Sequence, residues 1–205
     1  MSEALVKSLY TVYTEERTPI HDEITENQFK IFSAYGYGYC LDPESPTILD
    51  VGCGMGVAWP TMRSCYGYAD IRAITPNPVE IAHCRRKGVK WVGSTPVEAD
   101  VWQRTIDMIW CRHMLEHSIS PFADCLKFRD FLKDRGGLYI EVPAPDTDCL
   151  HENNPNHYSV MGDRMWRSLF DKAGFSLRQT GTIGLTLEIG DDRYFWYILE
   201  KKKAV

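Results

Sequence analysis

Three glycines on alternate positions, Gly52, Gly54 and Gly56, follow Ile48-Leu49-Asp50-Val51 and precede a run that can open a helix. The chemistry such a stretch performs is binding. Glycine allows positive φ and lets a ligand touch bare main chain. A helix start just beyond it offers unpaired N–H groups and a positive dipole end, which suit an anionic group such as a carboxylate. Spacing separates the ligands. The dinucleotide fingerprint G-x-G-x-x-G needs glycine at 57, where Val57 stands, and a phosphate loop needs a lysine that does not follow. What remains is hhDhGCGxG. The same residues also allow a strand–turn–helix without a ligand, so the rest of the chain has to decide.

The elements that would position this turn alternate strand and helix. Strands are expected at 48–51, 70–75, 89–92, 106–111 and 138–142. Helices are expected from Asp22 to about Tyr35 (apolar Ile24, Phe29, Ile31, Phe32), from Val57 to Tyr66, from Val79 to Lys87 and from Pro121 to the Gly136-Gly137 stop. A long polar loop spans 144–158. Met161, Met165, Trp166, Leu169 and Phe170 mark one face of a last helix. Two β-rich runs, 175–183 and 194–199, read as an antiparallel pair turning near Gly190-Asp191-Asp192. The alternation implies an α/β fold with a parallel sheet and right-handed crossovers. Ligands of such sheets lie beyond the carboxyl ends of the strands. That rule selects Gly52 to Gly56, Thr75 to Asn77, Ser94 to Val97 and Cys111 to His117.

The glycine pattern resembles the first motif of class I S-adenosylmethionine (SAM) dependent methyltransferases. The likeness extends to Trp110-Cys111-Arg112-His113-Met114-Leu115-Glu116-His117, similar to that family's h-x-x-H-x-L-E-H segment. It continues through Lys133 to Leu138, Asn156-His157-Tyr158-Ser159 and Ala173-Gly174-Phe175. The nearest likeness is to small-molecule enzymes of the ubiquinone-biosynthesis type. The resemblance implies a Rossmann-like seven-stranded, mostly parallel sheet in the order 3-2-1-4-5-7-6, last strand antiparallel, flanked by helices. It implies one domain over 1–205, with 1–45 an N-terminal helical cap; the tyrosines Tyr35, Tyr37 and Tyr39 could equally only pack on the sheet edge.

The resemblance also implies SAM as cosubstrate, with S-adenosylhomocysteine as product. Asp50, Val51, Gly52, Cys53, Gly54 and Gly56 would hold its amino-acid end. Ser94 or Thr95, with Pro96, would meet the adenine, and Cys111, Arg112 and His113 would pass beneath the methionine part. One position departs from the family: Thr75 stands where an acid commonly accepts both ribose hydroxyls, with Pro76 and Asn77 next to it. Asn77 is the candidate second partner. Methyl transfer requires alignment, exclusion of water and, for some acceptors, a base. His113 and His117 are the candidate bases. His151, His157 and Tyr158 stand in the loop that would roof the acceptor.

Bulk properties bound the partners. A formal net charge of −5 disfavours general affinity for nucleic-acid backbone. There is no apolar run of membrane-span length and no secretory leader, so the cytoplasm is the expected location. Seven cysteines without a C-x-x-C pair point to reduced thiols, and no metal-ligand spacing is visible, so no metal is expected. The D/N-P-P-Y signature of amino-methylation and a Pro-Cys nucleophile are both missing after strand four. A small organic acceptor with an oxygen, nitrogen or carbon nucleophile is therefore expected. A homodimer is left open. Two other readings remain: a SAM-fold protein that binds without catalysis, and a nicotinamide-dependent oxidoreductase, which would need the glycine spacing and strand-two acid that this chain lacks.

Overall fold

The computed structural model describes residues 19–36, 44–89, 92–93 and 102–203. Tyr37 and Tyr39, and Ser94, Thr95 and Pro96 of the expected adenine site, lie outside them. Seven strands form one sheet in the order β3-β2-β1-β4-β5-β7-β6. They are β1 (Thr47–Val51), β2 (Asp70–Ile74), β3 (Val92–Gly93), β4 (Ile106–Arg112), β5 (Leu132–Pro143), β6 (Phe175–Leu187) and β7 (Gly190–Lys201). The ladders from β3 through β5 are parallel, and β7 is antiparallel to both neighbours. This is the expected order.

Helices cover both faces. On one lie α1 (Pro19–Gly36), α2 (Trp59–Tyr66) and α3 (Pro78–Arg86), packed through Phe29, Phe32, Trp59, Met62 and Cys84. On the other lie α4 (Pro121–Phe131) and α5 (Asp163–Lys172), packed through Phe128, Phe131, Trp166 and Phe170. Register fixes what meets at the strand ends. Val51 pairs with Ile74 and with Cys111, and Arg112 pairs with Glu141. The turn after β1 and the ends of β2, β4 and β5 therefore form one continuous rim.

Several local expectations change. The inner face of α1 is Thr25, Gln28, Phe29, Phe32 and Ser33, at helical spacing, while Ile31 is exposed and Ile24 half-buried. Thr25 and Gln28 sit on that face because they meet Arg112 of β4 and Tyr139 of β5, while the Ser33 hydroxyl donates to the Lys30 carbonyl of its own helix. The helix α4 stops at Phe131 rather than at Gly136. Leu132 is buried as the first residue of β5, and Lys133 turns back to bind Asp107 at 2.8 and 2.9 Å. Residues up to Gly137 then bulge out of register, with Arg135 at φ 65°. In α5, Met165 faces outward and Met161 precedes the helix. The β6–β7 hairpin turns at 188–189, ahead of Gly190, because the strands pair through Thr186 and Asp191.

Candidate functional site

The glycine turn crosses the rim centre. Gly52, Gly54 and Gly56 all have positive φ (75°, 49° and 74°). The N–H groups of Gly52 and Cys53 both donate to the Ile74 carbonyl, tying the turn to the end of β2. A Cβ on Gly52 would lie 2.9 Å from Cβ of Met114, so glycine is required there by close approach of the segment after β4. A Cβ on Gly54 would meet nothing within 4 Å.

Asp50 is buried under this turn, and its Oδ2 accepts the Trp59 indole N–H at 2.8 Å. Burial raises its carboxyl to about 7, with the indole hydrogen bond pulling the other way. The expected ligand contact thus becomes a brace between β1 and α2. Val51 also differs from expectation, whereas Cys111 is buried as a packing residue. Both side chains are buried in the core under α4 and α5, leaving only their main chain at the rim. Cys53 turns its thiol to Cys84 of α3, with 3.7 Å between the sulfurs.

At the end of β2 the two expected ribose partners are engaged locally. The Thr75 hydroxyl donates to Glu80, and Asn77 Oδ1 accepts from Val79 N at 2.9 Å as the cap of α3. Pro76 lies half-buried between them. The gain is Glu80, a carboxylate carried back to the strand end from the first turn of the helix. It escaped the sequence reading although the pattern Asn77-x-x-Glu80 is a capping-box signature.

A buried polar network joins β4, β5 and α1. Glu141, fully buried, accepts from Arg112 Nε (2.6 Å), His113 Nε2 (3.0 Å) and the Tyr139 hydroxyl (2.8 Å). Burial alone would raise the Glu141 carboxyl; Arg112, His113 and Tyr139 outweigh it and hold the group at about 2. Arg112 also donates from Nη1 to Thr25 Oγ1 of α1 at 2.7 Å. Its buried Nη2 has no hydrogen-bond partner among the described residues. His113 adopts left-handed φ (51°) and sets Nδ1 3.5 Å from Glu116. Burial and Arg112 oppose a charge on its ring, but Glu116 and Glu141 prevail and raise it to about 9. A ring charged at neutral pH has no lone pair for a proton, which argues against the base role expected of His113.

Five of the chain's six histidines meet here. Ring contacts run from His21 to His113 (6.2 Å between centroids), to Tyr194 (4.7 Å), to His151 (5.7 Å), to His157 (5.7 Å) and to His117 (4.7 Å). His151 Nε2 lies 2.8 Å from Asp192 of β7. The loop bearing His157 is fastened to the β4 end, since Tyr158 N and Ser159 N both donate to the Glu116 carbonyl (2.7 and 3.0 Å). Tyr158 itself is half-exposed. The loop is therefore ordered by turns and anchors, including a 3-10 turn at His151–Asn153. Glu141, Tyr139, His21 and Tyr194 escaped the sequence reading, while Glu116 fell within the selected segment Cys111 to His117 without a role. A charged residue inside the apolar run 138–142 was the one available signal.

This sheet order with a glycine turn at its centre defines a Rossmann-like, methyltransferase-type fold. The chain belongs to the family described as "Methyltransferase domain", whose model matches residues 29–180. Among solved structures it is similar in fold to a SAM-dependent methyltransferase from Archaeoglobus fulgidus (TM-score 0.65, 16% identity, 88% of this chain and 94% of that one). It is also similar to one from Methanosarcina mazei (0.63, 13%, 82% and 97%). The [4+2]-cyclase SpnF has the same fold (0.66, 15%, 85% and 82%). Curated proteins provide no significant match. SAM is the cosubstrate this family implies, and the residues present fit it. The turn is open beside Gly54, and the unpartnered Nη2 of Arg112 is a donor suited to a carboxylate.

Proposed function

We propose that the chain transfers the methyl group of SAM to a small organic acceptor bearing an oxygen, nitrogen or carbon nucleophile. The observation that carries this reading is the packing of the glycine turn, through Gly52, directly against the segment that opens the histidine cluster. The turn and Arg112 orient the amino-acid end of the cosubstrate. Glu80, held by Thr75, takes the ribose role that an acid on the strand itself fills elsewhere. When bound, SAM supplies a methyl group already activated on a sulfonium. The protein then needs only to align the acceptor and exclude water. The loop 144–158 and the rings of His151 and His157 cover that side. Where the acceptor carries a proton, His117 takes it: its Nδ1 donates to the Asn156 carbonyl at 3.0 Å, so Nε2 holds a lone pair.

The reading extends to one domain over 1–205; of the expected cap 1–45 only residues 19–36 and 44–45 are described, and α1 closes the cofactor side. Burial of Phe29 and Phe32 of α1 against Trp110 and Tyr139 supports that role. Among the described residues no helix is long and apolar enough to cross a membrane, and we place the protein in the cytoplasm.

Transfer of labelled methyl from SAM across a panel of phenols, amines and activated carbon acids tests the proposal, with product formation on at least one class expected. Tight SAM binding by calorimetry with no transfer to any class would favour a binding protein instead. The threonine at the strand-two end is the observation on that side.

A further inference from the structure

We propose that Glu116, His117 and His157 bind a divalent transition-metal ion of the zinc type. Their ligand atoms all lie within 4.8 Å of one another. Bonds of about 2.1 Å would set ligands roughly 3.4 Å apart, within reach of small side-chain rotations.

The two faces of the Glu116 carboxylate differ. Oε1 lies 3.5 Å from His113 Nδ1, whereas Oε2 is buried without a hydrogen-bond partner among the described residues. A buried carboxylate oxygen left in that state asks for a cation or a donor. Both imidazoles have the orientation of metal ligands. His117 Nδ1 donates to the Asn156 carbonyl (3.0 Å) and His157 Nδ1 to the His151 carbonyl (2.8 Å). A carbonyl only accepts, so each Nδ1 carries the proton and each Nε2 the lone pair, the second-shell arrangement typical of ligating histidine. The one contact at His157 Nε2, from Asn154 Nδ2, is long at 3.4 Å.

The site is also built before any ion arrives. Tyr158 N and Ser159 N hold the Glu116 carbonyl, and Ser159 Oγ donates to the Ser118 carbonyl at 2.9 Å, which locks the His157 loop to the β4 end. The neighbouring trio Cys149, His151 and Asp192 makes a contrast. There Asp192 is already satisfied by His151, Tyr194 and the N–H of Arg193, so nothing in it calls for an ion. Linear spacing hides the proposed site because its third ligand comes from a separate loop.

Three protein ligands leave a coordination position open, as in catalytic rather than structural zinc sites. An acceptor oxygen in that position would lose its proton through coordination to the ion, and His117, its Nε2 then a ligand, would act as base only in the metal-free protein. This corollary rests on the methyl-transfer reading; the metal assignment does not.

The test uses the full chain stripped with chelator and titrated with Co2+. Saturable visible d–d absorption, abolished by Zn2+, is expected. Glu116→Gln and His157→Ala should each weaken Co2+ binding by about tenfold or more. Their circular dichroism without metal should match the wild type. If Glu116→Gln does not fold, His157→Ala in the exposed loop decides. Absence of saturable Co2+ binding, or unchanged affinity in a folded variant, would overturn the assignment whatever the outcome of the methyl-transfer assays.

Discussion

Single side chains at the rim divide into those that bind and those that brace. In the proposed reading Glu80 binds, whereas Asp50, which accepts the Trp59 indole N–H, braces β1 against α2, the reverse of what their places in the sequence suggest. Glu80→Gln keeps the shape and removes the charge that two ribose hydroxyls would donate to. Hydrogen bonds to charged groups contribute about 1.5–3 kcal/mol. S-adenosylhomocysteine affinity by calorimetry should therefore fall by roughly 10- to 100-fold, with the melting temperature little changed. Gly52→Ala should act oppositely, on the fold first. Its Cβ would press on Met114 at 2.9 Å and its φ is positive, so we expect a loss of about 1–3 kcal/mol in denaturant unfolding. The glycine turn was legible because backbone geometry dictates glycine. The local capture of Thr75 and Asn77 was not, because hydrogen-bond partners depend on where α3 starts.

At the scale of elements, the Glu141 network is the joint between β4, β5 and α1. Strands β1, β2 and β4 were legible from their apolar runs. The inward face of α1 was not, since Thr25 and Gln28 do not look like part of a buried stripe until Arg112 and Tyr139 are set opposite them. The network makes acid stability a measurable property. A carboxyl held at about 2 in the fold, against 4.5 when free, contributes stability that is complete above pH 4.5 and lost as pH falls through 2. Glu141→Gln should remove that loss, flattening the stability curve across this window in urea titrations. At neutral pH the same variant leaves Arg112 without its buried partner and should be less stable by about 3–5 kcal/mol. Unaltered acid sensitivity would show that Glu141 does not carry the effect.

For the whole molecule, sheet order followed from the family likeness together with the strand–helix alternation. The histidine cluster did not, because His21, His113, His151 and His157 come together only once α1, β4 and the 144–158 loop are placed. The cluster and the glycine turn share one rim, and ligand binding should stabilise the molecule as a unit. At a concentration 100 times its dissociation constant, S-adenosylhomocysteine should add about 2.7 kcal/mol to unfolding, visible as a rise in melting temperature.

Calorimetric titration of S-adenosylhomocysteine into the wild type and into folded Gly54→Val tests most directly the proposal that the glycine turn binds the cosubstrate. At Gly54 an added Cβ meets no protein atom within 4 Å, so no core clash results, but its φ of 49° strains any side chain, and affinity is therefore read only in a variant whose unfolding curve shows it folded. Micromolar-range binding by the wild type and its loss in the variant are predicted. Equal affinity in both proteins would contradict the account.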